Sequence, residues 1–289
     1  MIDLHLHTTA SDGRCSPEEL VTRAHEKGIR TMSVTDHDTI AGVAPAARIA
    51  AELGIAFIPG IEITSVHGGR DVHILAYFLP DLSEELRQLL AEQRKSRLER
   101  ARMIADRLAA ACAPIDVDAL MEAGAALGGK SLARPQIAQA LIAAGHVATV
   151  PEAFERFLGE DGPAYVPHRG ASPSEVVDLI CRGGGVASLA HPGYTKKDEI
   201  VPDLVAAGLA AIEAHHSSHD GPTTQRYLEM ARRYGVAVTG GSDFHGQGTR
   251  RSEFFGVTSL PRSDFDHFFD QSMRLREIAT QRPAIAWRM

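Results

Sequence analysis

In seven places along this chain, a short apolar run that reads as a β-strand ends in a histidine or a carboxylate. Four of these runs, Ile2–Leu6, Thr31–Thr35, Ile55–Thr64 and Val72–Phe78, fall in the first 80 residues; Val186–Ala190, Leu209–Ala214 and Val236–Thr239 come later. Helical segments lie between them. One is opened by Ser16-Pro17-Glu18-Glu19 and stopped by Gly28, and another covers Val43–Leu53. A serine cap, a proline in the first turn and acids at the positive end of the dipole are what a helix start requires. Alternating strands and helices define an α/β fold. Seven strands before a C-terminal tail predict a closed or nearly closed β/α barrel, in which parallel strand ends open onto one face.

The middle of the chain breaks the alternation. Glu84–Cys112 is a long, charged helical stretch, and residues 113–165 are helical and rich in Gly and Ala, with no strand expected. This predicts barrel segments at 1–98 and 166–289, with a helical insertion at 99–165 folded over the mouth of the site. The alternation resumes with Ser172-Pro173 opening a helix that ends at Gly183-Gly184-Gly185, and with helices near Asp198–Ala207 and Thr223–Arg233.

Composition narrows the function. With 44% hydrophobic and 23% charged residues, the chain is ordinary globular material and not a disordered one. It has no apolar run approaching the roughly 18 residues a membrane span needs. The opening MIDLHLHTTASDG carries neither a basic nor an apolar leader, so no signal peptide is expected. Cys15, Cys112 and Cys181 are widely spaced and odd in number, which fits a reducing cytoplasm better than a disulfide framework. A net charge of −7 disfavours long nucleic acid as a partner. Only five of the 30 basic residues are lysines, a bias that GC-rich coding explains without invoking phosphate binding.

The 14 histidines carry the chemistry. The strand ends supply His5 and His7 with Asp12, then Asp36-His37-Asp38, Glu62, His73, His191-Pro192-Gly193, Glu213 with His215, His216 and His219, and Asp243-Phe244-His245. Side chains at i and i+2 of a strand share a face, so His5 and His7 point together, as do Asp243 and His245. A single such histidine is usually a satisfied core or surface residue. So many imidazoles and carboxylates converging on one face would repel or go unsatisfied without cations, and divalent metal is the economical explanation.

In order and spacing, DLHLHTTASDG, TDHDT, GIEIT, VHILAY, AHPG and GSDFH resemble the motifs of the polymerase and histidinol phosphatase (PHP) family. The resemblance covers residues 1–80 and about 165–245. It implies a distorted (β/α)7 barrel with a trinuclear metal centre. One ion would take His5, His7, Glu62 and Asp243; a second Glu62, His73 and His191; a third Asp12, His37 and His245. Asp12 stands where histidinol phosphatases commonly place a histidine, which weakens that assignment. The SDG after HTT and the GKSLARP loop resemble the stand-alone 3',5'-nucleoside bisphosphate phosphatases and the related RNA 5'-to-3' exonucleases.

That resemblance implies hydrolysis of the 5'-phosphate of nucleoside 3',5'-bisphosphates, and more weakly of monophosphates such as AMP, by metal-bound hydroxide. A nitrogen and oxygen ligand set suits manganese, with zinc or iron as alternatives. His191, His245 and Asp243 are the candidate catalytic residues. Lys130, Ser131 and Arg134, with His216, are candidates for holding the second phosphate; a plain N-capped loop is the competing reading for the first three. The competing functions are 5'-to-3' exonuclease action on short RNA, an amidohydrolase-type hydrolase, and a non-catalytic metal-stabilised module. None of the five lysines falls in an expected strand, which argues against a lysine-bridged amidohydrolase.

Overall fold

A computed structural model describes residues 1–79, 81–126, 134–249 and 251–281, with the backbone alone at 123–126, 134–135 and 278–281. Seven strands form one sheet in the order β1 to β7: Ile2–Asp3, Thr31–Val34, Ala56–His67, Arg70–Tyr77, Val186–Leu189, Ala211–His216 and Ala237–Gly241. The sheet closes on itself. Beyond β1, Leu4 N–H donates to Gly240 O at 3.1 Å, Asp243 N–H to His5 O at 2.9 Å and His7 N–H to Phe244 O at 3.0 Å.

The barrel is not all parallel. β4 runs antiparallel to both β3 and β5. It is joined to β3 by a tight hairpin at Gly68 and Gly69, with φ of 59° and 78°, the left-handed pair that a two-residue hairpin demands. Because β4 runs back from the mouth, the first half of this strand, not its end, brings His73 to the site. Thr64 is its direct cross-strand partner.

Strand periodicity then sorts the side chains. Ile61, Ile63, Val72 and Ile74 pack outward in a core with Val176, Val177 and Ile180, while the intervening Glu62 and His73 meet inside the barrel. The outer helices are α1 (Pro17–Glu26), α2 (Val43–Glu52), α3 (Glu84–Ala110), α4 (Val117–Ala126), α5 (Arg134–Ala143), α6 (Val150–Ala153), α7 (Pro173–Arg182), α8 (Pro192–Thr195), α9 (Val201–Ala206), α10 (Gly221–Tyr234) and α11 (Arg262–Gln281). Ser172 and Glu175 form a full capping box at the start of α7. A separate apolar cluster joins Ala101, Ile104 and Leu108 of α3 to Ile137 and Leu141 of α5 and to Phe157.

The expected C-terminal tail is instead the helix α11. Its Phe265 and Phe268 share a core with Leu4, Ile58 and Tyr77. Among the described residues, no helix is long and apolar enough to cross a membrane.

Candidate metal centre

Glu62 is fully buried at the centre of the barrel mouth. Its Oε2 lies 3.1 Å from His5 Nε2, 3.2 Å from His7 Nε2 and 3.3 Å from His37 Nδ1. Its Oε1 lies 2.8 Å from His73 Nδ1 and 2.9 Å from His191 Nε2. Asp243 Oδ1 sits 3.2 Å from His7 Nε2 and 3.5 Å from His5 Nε2. Asp12 Oδ1 is 3.2 Å from His245 Nε2, and its Oδ2 is 3.9 Å from His37 Nε2. The nine residues expected as ligands thus gather in one place, although the chain spreads them from residue 5 to residue 245.

The donor atoms fit metal better than they fit one another. His5, His7, Glu62 and Asp243 each offer an atom within 4.8 Å of the others, as do His7, Asp12, His37 and His245, and also His37, Glu62 and His73. Ligand bonds of about 2.0–2.2 Å place neighbouring donors around an ion roughly 3 Å apart, the spacing seen around Glu62. Both ring nitrogens of buried His7 lack a hydrogen-bond partner, as do His37 Nδ1 and His191 Nδ1. Buried polar atoms left unpaired in this way are costly unless an ion completes them.

The electrostatics show the same crowding. Burial alone would raise Glu62, Asp243 and Asp12, but the surrounding imidazoles hold all three carboxyls below the usual range. Burial would lower His7, yet the carboxylates of Asp243 and Glu62 beside it push it up to about 10. At His37, burial dominates and the imidazole falls to about 4. Two of the residues sit in strained backbone: His191 has φ 28° and Asp243 φ 55°. Non-glycine residues held there are over-determined by their surroundings, a common feature of functional sites.

The family model for the PHP domain matches residues 3–113. The 5'-3' exoribonuclease Rnm of Escherichia coli K12 is 34% identical over 257 residues, covering 84% of each chain. The 3',5'-nucleoside bisphosphate phosphatase of Chromobacterium violaceum is 34% identical over 265 residues, covering 90% of this chain and 92% of that one. The chain belongs to the PHP domain family. A crystal structure of a candidate metal-dependent phosphoesterase from Bifidobacterium adolescentis superposes with a TM-score of 0.80 at 30% identity, covering 93% of this chain and 95% of the other. This PHP protein is a metal-dependent hydrolase of phosphoric esters, and its barrel holds divalent metal.

Other residues of the PHP barrel position these groups. Of the Asp36-His37-Asp38 triplet, His37 alone faces Glu62. Asp36 accepts from Thr8 N–H, Thr8 Oγ1 and Ser11 Oγ, each at 2.7 Å, and so pins the loop carrying Asp12. Asp38 accepts from Thr64 and Arg97. Glu213 is the residue whose role sequence reading missed. Its Oε1 lies 2.9 Å from His5 Nδ1, and its Oε2 accepts from the His191 backbone N–H at 2.7 Å. The available signal was a carboxylate inside the apolar strand Ala211–His216, which must be buried and so must find a partner.

Two cavities meet at the centre. One of about 470 Å³ is lined by Arg14, Gln136, Gln139, Tyr194 and Arg251 as well as by site residues; the other, of about 680 Å³, by Arg70, Arg97, Arg100, Phe154, His168 and Lys197. Of the residues expected to hold a second phosphate, Lys130 and Ser131 lie outside the described residues, as does the Arg134 side chain at the start of α5. His216 lines neither of these two cavities. Its buried Nε2 sits 3.4 Å from Asp243 Oδ2, and its Nδ1 meets Ser218 Oγ at 2.8 Å, which places it beside a carboxylate of the cluster.

Proposed function

We propose that this chain hydrolyses the 5'-phosphate of nucleoside 3',5'-bisphosphates, and nucleoside 5'-monophosphates more slowly, using three divalent ions, with manganese the preferred metal. The observation that carries the reading is Glu62: one buried carboxylate within 3.3 Å of five imidazoles, with Asp12 and Asp243 beside them, at the floor of an open cavity. The name of the Chromobacterium violaceum relative supports the substrate class.

His5, His7, Glu62 and Asp243 would hold one ion, Glu62, His73 and His191 a second, and Asp12, His37 and His245 a third. When bound, such ions lower the pKa of water and draw charge from phosphoryl oxygens. The protein's own groups do the rest. Glu213 fixes His5 with its Nε2 turned towards Glu62. Arg14 and Arg251 place positive charge in the wall where a phosphate enters. His191 and His245, each a ligand in these sets, line the same cavity and so would flank the leaving 5'-oxygen. We assign residues 99–165 as an insertion that walls the larger cavity through Arg100, Phe154 and Glu160.

A second reading, 5'-to-3' exonuclease action on short RNA, is favoured by one observation. Two cavities with different outer linings meet at the centre, and a phosphodiester needs room on both sides of phosphorus. The test is metal analysis of protein purified with manganese, followed by phosphate release from AMP and adenosine 3',5'-bisphosphate and by digestion of a 5'-phosphorylated oligoribonucleotide. Release from the bisphosphate should be fastest and should stop on chelation. Faster digestion of the oligonucleotide would reverse the ranking, and inertness towards all three substrates would remove both readings.

A further inference from the structure

We propose that Tyr194 is the platform on which the nucleotide's base stacks, an inference that rests on the nucleotide reading above. Tyr194 lies in α8, three residues after His191, where the strained turn leads the chain out of β5. Tyr194 is 61% exposed and lines both cavities. Two neighbours flank its ring. The Arg251 guanidinium sits over it, 5.7 Å from the centroid, and the His191 ring meets it edge-on at 6.0 Å and 88°.

Both partners belong to the centre itself. His191 Nε2 is on Glu62, and Arg251 Nη1 donates to Asp243 Oδ2 at 2.8 Å. Tyr194 therefore stands directly beside two residues of the centre, in the cavity that a phosphate would enter. An aromatic surface flanked by residues that are themselves tied to the centre loses less entropy on gaining a partner, and covering it recovers the apolar area now left in water. A planar base fits that face, and because every base has a π-face, the platform accepts purines and pyrimidines alike. Arg251 behind the ring adds a cation at the phosphate end, so one pair of side chains receives both parts of the substrate.

The test is calorimetric titration of manganese-loaded protein with the methylene-phosphonate analogues of AMP, UMP and ribose 5-phosphate, which lack the scissile ester oxygen. Wild-type protein should bind both base-bearing analogues roughly tenfold tighter than the sugar analogue, the weight of one stacked base. Tyr194→Phe should keep that ratio. Tyr194→Leu, which retains bulk without a π-face, should reduce it to near one, and Tyr194→Ala provides a second check. A ratio that survives in Tyr194→Leu, or a wild-type protein that binds the base-bearing analogues no tighter than the sugar analogue, overturns the proposal. Hydrolysis is scored separately: a protein that prefers the base-bearing analogues but releases no phosphate from AMP keeps the platform and loses the proposed reaction.

Discussion

Glu62 and His73 lie on antiparallel neighbouring strands, diagonal to each other in register, with His73 Nδ1 2.8 Å from Glu62 Oε1. Diagonal pairs of this kind are within reach of long side chains across a sheet. Here the diagonal joins two of the residues that would share an ion, and a one-residue slip would turn His73 out of the barrel. The reversed direction of β4 is therefore part of how the centre is built.

Glu62→Gln removes the charge that five imidazoles surround. The variant should fold, because the side chain keeps its volume. It should lose most of its bound metal and at least about 100-fold in kcat/KM. Elemental analysis and phosphate release check both; a variant with full metal content and wild-type rate would remove Glu62 from the centre.

Glu213→Gln probes a residue that touches His5 and not the substrate. A side chain that orients a ligand from behind typically contributes 10–100-fold to metal affinity or activity. Manganese affinity should weaken within that range, with the melting temperature in the presence of saturating metal close to wild type. Unchanged metal affinity would show that the 2.9 Å contact with His5 Nδ1 has no orienting role.

Gly241 lies where β7 passes the chain at residue 5. A Cβ there would sit 2.4 Å from His5 Cβ and 2.5 Å from His5 N. Gly241→Ala must push the barrel seam apart, at a cost of about 1–3 kcal/mol. The melting temperature should fall and metal binding weaken together. Retention of both would mean that the seam yields more easily than its packing indicates.

Stability should also decline in mild alkali because of Cys181. Burial pushes this thiol up to about 11, and its Sγ donates to Gly208 O at 3.4 Å. In the unfolded chain the thiol ionises near about 8.5. The contribution is thus complete below that pH and is lost progressively as pH rises towards 11. Thermal unfolding followed from pH 8 to 11 should show a shallower decline in Cys181→Ala than in wild type; parallel curves would rule the thiol out.

Much of this was legible in one dimension. His5, His7, His37 and His191 stand at the ends of apolar runs, and that pattern announces a convergent site because strand ends in a barrel share a face. Boundaries of β2, α2, α7 and β5 follow from caps and glycines and were readable to within a residue or two. The helix α11 was not read, since its apolar residues make sense only against Leu4 and Tyr77 at the far end of the chain.

The chain's local chemistry determined which donor atoms are available, that they must converge, and that cations must reconcile them. Tertiary structure decided the direction of β4, the burial of His216 against Asp243 and the grip of Glu213 on His5 across 208 residues of sequence. The division has a physical cause. Period and capping act over a few residues and are written locally, whereas strand direction, register and the partner of a buried charge are set by long-range packing, which selects among arrangements that local sequence leaves equally open.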